Sequence, residues 1–229
     1  MMAKKTKSRH ALCSKLILFA LASMVLGSVF LDQLTKSLAE QHLKVWSDPD
    51  NLRAYQGKRV RLLTIGTEPE FESKDPRYLS FSFNYVRNQG AAWGAFSDLD
   101  DNIRIPFFYI VTLLAVCLIL FYLKTTPPNH LLARFGLTLI LSGAIGNVYD
   151  RFLLGYVIDF LDVRWAIPLP FHLNFSINFF PSFLDFLNIK VNTATWQYDF
   201  PNFNWADSMI TVGVSLLFYD ILFLENKRK

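Results

Sequence analysis

The chain has 229 residues, of which 52% are hydrophobic and only 18% charged, with 22 phenylalanines and a formal net charge of +4. Aqueous domains carry about a quarter charged residues, so the composition argues against an ordinary soluble protein and for a membrane one. The basic residues gather beside apolar runs, so the positive balance reads as a topology signal and an attraction for anionic lipid, not as a nucleic-acid surface.

Lys4, Lys5, Lys7, Arg9 and Lys15, with no acid among them, lead into the first apolar run, 14–32. That length is near the ~20 residues a membrane helix needs. A secretory leader has the same layout, but Gly27-Ser28-Val29-Phe30-Leu31-Asp32 lacks a small-x-small cleavage pattern, which favours an uncleaved anchor. Cys13 and Cys117 form no motif and read as packing residues rather than a disulfide or a metal pair.

Residues 33–104 follow as a long polar and aromatic stretch. Alternating runs at 59–65 and 78–86 predict strands of a small sheet on the outer membrane face, with 68–76 as an exposed acidic loop between them. Two further spans are predicted at 105–124 and 131–149, the latter diluted by Arg134, Asn147 and glycines. Within the outward stretch 150–207, residues 163–200 are rich in Phe, Trp, Pro and Asn. Pro168, Pro170 and Pro181 are expected to break helix and sheet alike, leaving a lid, an interfacial segment or a partner surface. The last apolar run, 208–224, leads to the tail Glu225-Asn226-Lys227-Arg228-Lys229.

Four spans put the basic start, the Lys124/Arg134 connection and the basic tail on one side, which the positive-inside rule makes cytoplasmic. Three or five spans would break that agreement. The expected fold is therefore an all-α polytopic membrane protein of four transmembrane helices, both termini cytoplasmic. It carries a small extracytoplasmic sheet and a long aromatic insertion, in a single domain, 1–229.

Two aspartates sit beside hydrocarbon: Asp159 in Gly155-Tyr156-Val157-Ile158-Asp159-Phe160, and Asp207 in Phe203-Asn204-Trp205-Ala206-Asp207-Ser208. An acid is costly there and marks a candidate functional site. Two of them suggest a pair sharing one proton, the arrangement that activates water in aspartic proteases. Structural readings exist: Asp159 accepting backbone hydrogen bonds, Asp207 capping a helix that starts after Asn204.

Other motifs surround the pair. Asp32 and Lys36 in Asp32-Gln33-Leu34-Thr35-Lys36 lie four apart on one helix face, so an ion pair is available. Gly90, Ala91, Ala92 and Gly94 bare the backbone for close approach of another chain, while Arg87 and Asn88 offer donors to an extended ligand. Gly143, Ala144 and Gly146 suit tight packing in lipid, and Asn147 and Arg151 share a face beside Asp150. The histidines lie scattered without metal spacing, no phosphate loop is present and no serine occupies a nucleophile elbow, so neither metal nor cofactor is expected.

In their order these motifs resemble the lipoprotein signal peptidase (signal peptidase II) family of bacterial membrane aspartyl proteases. The blocks are DQLTK at 32–36, RNQGAAWGAF at 87–96, GNVYDR at 146–151, GYVIDF at 155–160 and FNWADS at 203–208. The resemblance implies an outward-facing aromatic β-cradle and cleavage of prolipoproteins just before a diacylglyceryl-modified cysteine. It places catalysis on Asp159 and Asp207. It makes Asp32, Lys36, Asn88, Gly90, Asn147, Arg151, Asn204 and Ala206 site-shaping or substrate-binding, with Asp150 next in line for a catalytic role. It further implies the inner membrane, an extracytoplasmic active site, a monomer, and lipids and prolipoproteins as partners. The segments after DQLTK and between the two aspartates are longer here than the family pattern. Two rivals stand beside this reading: a small transporter or proton relay built on the same aspartates, and a non-enzymatic assembly protein.

Overall fold

A computed structural model describes residues 2–48, 54–67, 77–90, 96, 100–168, 174–177, 189–192 and 195–224. The expected loop 68–76, Ala91, Ala92, Gly94, most of 169–194 and the tail 225–229 lie outside them. The helices are α1 (Met2–Leu43), α2 (Asp101–Thr125), α3 (Leu131–Leu154) and α4 (Trp205–Tyr219), the last prolonged by a π-helical turn, Asp220–Leu224. Four stretches are long and apolar enough to cross a membrane: Lys15–Leu43, Asn102–Thr125, Leu131–Leu154 and Trp205–Leu224. Each contains most of one predicted run, but the first continues to Leu43, past the expected end at 32. The chain divides into two compact units.

The first unit comprises 1–35, 106–153 and 205–229. Its central helix is α3, whose apolar window is 61% buried, against 6% to 11% for the other three. This explains why the third run is the most polar: α3 faces protein, not lipid, and can carry Thr138, Ser142 and Asn147. Ile119, Leu137 and Leu141 form its core, with Val25, Val116 and Leu217 packed around them. Arg134, buried, donates from Nη1 to the carbonyls of Leu123 (3.1 Å) and Thr126 (2.9 Å), satisfying groups left open where α2 ends.

Small residues set the approach of α3 to α4. A Cβ on Gly143 would strike the Ala206 carbonyl oxygen, and one on Gly213 would lie 2.6 Å from the Gly136 oxygen. Ser142 Oγ donates to Ser28 Oγ (3.1 Å), which also accepts Trp205 Nε1 (3.3 Å), joining α1, α3 and α4. Such contacts matter in lipid, where helix association rests on close packing and interhelical hydrogen bonds.

The second unit comprises 36–105 and 154–204. Gly155, at φ 78°, takes the left-handed conformation that ends α3 and turns the chain into strand β5. The strands are β1 (Lys44–Ser47), β2 (Tyr55–Gly57), β3 (Val60–Thr67), β4 (Arg77–Asn88), β5 (Val157–Pro168), β6 (Asn174–Ile177), β7 (Ile189–Asn192) and β8 (Thr195–Asp199). They build a four-stranded antiparallel sheet ordered β3-β4-β5-β8 and two hairpin-like pairs, β1-β2 and β6-β7. The predicted strands at 59–65 and 78–86 are β3 and β4. The segment 163–200 holds more sheet than its prolines led us to expect. β5 runs through it until Pro168, its last residue, and β8 pairs back onto it.

The sheet alternates strongly. Tyr78, Ser80 and Ser82 are buried while Leu79 is exposed between them. On the polar face Asp162 is buried between Arg59 Nε (2.8 Å) and Arg164 Nε (3.1 Å); the first is an ion pair without hydrogen-bond alignment. Ala39 and Leu43, at the end of α1, pack with Tyr85, Tyr156, Ile158 and Phe160. With 42 residues at ~1.5 Å per residue, α1 measures about 63 Å, twice a bilayer's hydrocarbon core.

Gly143→Ala should lower the thermal midpoint in detergent, a loss of about 1–3 kcal/mol for overpacking. Gly27→Ala, where an added Cβ meets nothing within 4 Å, should leave the midpoint unchanged or raise it slightly.

Candidate active site

Register decides what surrounds Asp159. Phe83 opposes Leu161, but Val86 opposes Asp159, so β4 carries one extra residue between them. This bulge reverses the side-chain alternation of everything after it. Without it, Asp159 would stand opposite Tyr85, and Asn88 would point to the other face. With it, Asn88 opposes Val157 and becomes the diagonal same-face neighbour of Asp159. Asn88 Nδ2 donates to Asp159 Oδ2 at 2.9 Å. Its Oδ1 accepts the Gly90 amide at 2.9 Å, which fixes which end of the carboxamide faces the acid.

The other carboxylate oxygen is met from downstream. Phe203 bridges to Leu161 in antiparallel fashion, its carbonyl accepting from the amides of Phe160 (3.0 Å) and Leu161 (2.8 Å). The next residue, Asn204, is fully buried and donates from Nδ2 to Asp159 Oδ1 at 2.7 Å. Asp159, 2% exposed, is thus held from both sides by carboxamides.

Arg87, one residue before Asn88, packs its guanidinium over Tyr156 (4.6 Å), Tyr55 (5.3 Å) and Tyr85 (5.9 Å) and donates from Nε to Tyr85 Oη at 3.2 Å. Such cation–π contacts anchor the end of β4. Burial first, then the hydrogen bond with Tyr85, pushes the Tyr156 phenol well above its ordinary range, so it stays protonated at physiological pH.

In the first unit, Asp207 lies in the first turn of α4, where an acid meets the positive end of the helix dipole. Its Oδ1 accepts Asn147 Nδ2 at 2.7 Å. The preceding amide, Ala206 N, has no acceptor within the helix and donates instead to Asp32 Oδ1 at 2.9 Å. Gly146 lets this happen: a Cβ there would lie 2.5 Å from Asp32 Oδ2. Asp150 is buried and accepts Gln33 Nε2 at 2.9 Å. Arg151 sets its guanidinium over Phe108 at 4.9 Å, and its carbonyl accepts the Tyr109 hydroxyl at 3.0 Å.

The expected residues therefore fall into two hydrogen-bonded sets. Asn88, Gly90, Asp159 and Asn204 make one, in the second unit. Asp32, Asn147, Asp150 and Ala206 with Asp207 make the other, in the first, and Arg151 stands on the next α3 position. Lys36, a turn after Asp32 and at the start of the second unit, is fully buried, as expected of a functional or paired cation rather than a boundary one. Gln33 and Asp162 were not singled out from sequence. Gln33 stood inside a quoted motif, whereas the environment of Asp162 depends on strand register.

A family model described as signal peptidase (SPase) II matches residues 24–223. The chain belongs to the signal peptidase II family. Relatives named lipoprotein signal peptidase include one from Syntrophotalea carbinolica, 32% identical with 88% of each chain covered. Another, from Geobacter sulfurreducens, is 32% identical over 90% of this chain and 93% of its own. A solved structure described as a bacterial membrane enzyme superposes with TM-score 0.54 at 25% identity, covering 90% of this chain and 94% of that one. A second, at 23% identity and TM-score 0.55, shares the fold over 92% of both chains. Membership makes the chain an aspartic-type signal peptidase, and with four apolar helices a multi-pass inner-membrane protein.

Replacing Asn88 with Leu keeps the branched side-chain shape but removes the donor to Asp159. If Asp159 reacts, as expected from the sequence, precursor cleavage should fall about 100-fold, the scale of a small misplacement of a reacting group. A gel-shift assay on a lipidated precursor reads this; an unchanged rate would remove Asn88 from the site.

Proposed function

We propose that the chain removes signal peptides from prolipoproteins by hydrolysing the bond just before the diacylglyceryl-modified cysteine, with Asp159 and Asp207 sharing one proton around the attacking water. The observation that carries this reading is that each of the two aspartates accepts a short hydrogen bond, 2.7–2.9 Å, from a neutral carboxamide. A carboxamide fixes the position of the carboxyl oxygen it bonds, as a reacting group needs. The family supplies the substrate class, since relatives matching most of the chain are named lipoprotein signal peptidase. Asn204, bonded to Asp159, precedes Asp207 by three residues, which ties the two acids to one short piece of chain.

The chemistry follows from one proton on the pair. The ionised carboxylate takes a proton from water as the water oxygen attacks the scissile carbonyl carbon. Its protonated partner donates to the carbonyl oxygen as that oxygen becomes negative. Collapse of the tetrahedral intermediate breaks the C–N bond: the leaving amine takes the proton first removed from water, and the hydroxyl formed from the carbonyl returns its proton to the partner carboxylate as C=O re-forms, restoring the pair. The products are a signal peptide with a new carboxylate and a mature lipoprotein with a free amine on its lipidated cysteine. Arg151 donates to the peptide backbone, the lipid chains remain in the bilayer, and the pair faces the extracytoplasmic side. A transporter or scaffold reading draws no support from the family.

Purified protein should cleave a lipidated precursor and leave its unlipidated form intact. Asp159→Asn and Asp207→Asn should each lose at least about 1000-fold in kcat, the scale seen when a member of a concerted catalytic set is removed. Near-full activity in either variant would refute the dyad. Because one proton must sit on the pair, kcat/KM should fall on both sides of a pH optimum.

A further inference from the structure

We propose that Gln33 is a positioning residue for the cleavage reaction, acting through Asp32 on the first turn of α4 and so on Asp207. The proposal rests on the reading of Asp207 as half of the catalytic pair. Gln33 Nε2 lies 2.9 Å from Asp150 Oδ1, 3.1 Å from Asp32 Oδ2 and 3.3 Å from the Gly146 carbonyl oxygen. One carboxamide nitrogen, with two hydrogens, thus bridges two buried acids that are far apart in the chain. Asp32 and Asp150 are 1% and 2% exposed. Buried carboxyl oxygens need donors, and one carboxamide nitrogen here serves both acids.

The bridge is one link of a closed circuit within the first unit. Asp32 Oδ2 takes Gln33, and its Oδ1 takes the Ala206 amide, an open helix-end donor. Ala206 leads to Asp207, whose carboxylate takes Asn147, which shares α3 with Asp150, and Asp150 returns to Gln33. Three helices are closed into this ring: α1 by Asp32 and Gln33, α3 by Asn147 and Asp150, α4 by Ala206 and Asp207. Losing the Gln33 amide removes one of the donors that orient the Asp32 carboxylate. A reoriented Asp32 is a poorer acceptor for the Ala206 amide, which fixes the turn bearing Asp207. The charged groups within a turn of the ring along the chain are Lys36 on α1 and Arg151 on α3.

Three variants test this in full-length protein with a lipidated precursor. Gln33→Leu should lower kcat roughly 10- to 100-fold with KM within about twofold, because outer partners orient the reacting groups rather than bind substrate. Gln33→Glu can donate only while its carboxyl holds a proton. Its kcat relative to the parent should therefore be highest at acidic pH and decline as pH rises. Since the same protein is assayed at every pH, that profile separates donation from misfolding. Thr35→Val, whose lost hydroxyl bonds only carbonyls of its own helix, Leu31 and Asp32, should behave as the parent. A parental kcat in Gln33→Leu, an effect confined to KM, or a pH-independent loss in Gln33→Glu would each overturn the role of Gln33. Retained activity in Asp207→Asn would instead overturn the catalytic pair, so the two failures are told apart.

Discussion

A buried carboxylate has to be given hydrogen-bond donors, and the kind of donor decides what the acid can do. In this molecule two kinds are seen. Asp162, inside the sheet, lies between the guanidinium groups of Arg59 and Arg164. Asp159, Asp207, Asp32 and Asp150 each accept from a carboxamide. The first arrangement is scaffolding. Most of the rest of the fold can be understood as the means of bringing four amides to four acids.

Different local devices deliver those amides. In the sheet, the extra residue in β4 turns Asn88 to the face of Asp159, and a single bridge at Phe203 delivers Asn204. In the helical unit, small residues do the same work: Gly143 and Gly146 let α3 approach Ala206 and Asp32 closely enough for direct bonds. A side chain at Gly146 would occupy the place of the Asp32 carboxylate. Where the sheet uses register, the bundle uses the absence of side chains.

Much of this was legible in the sequence. The four apolar runs and the β3 and β4 patterns follow from hydropathy and alternation, and Asp159 and Asp207 stood out because acids are costly beside hydrocarbon. The end of α1 was harder. Hydropathy stops the run at 32, yet the helix continues to Leu43, because Asp32 and Lys36 are buried in protein rather than exposed at a membrane boundary. The strands within 163–200 were missed because aromatic and proline content obscures them, and β8 depends on a partner thirty residues earlier. Gln33 had no distinguishing local signal. Its importance comes from Asp150, 117 positions away, and distance in sequence carries no mark of that contact.

The bulge in β4 also constrains how the gene can change. Between Phe83 and Val86 the count of residues, more than their identity, sets the direction of Asn88. Loss of a single codon there would leave every motif spelled correctly on either side, yet turn the carboxamide to the opposite surface. A family alignment scored by residue type alone would pass such a sequence as intact, although its Asn88 could no longer reach Asp159.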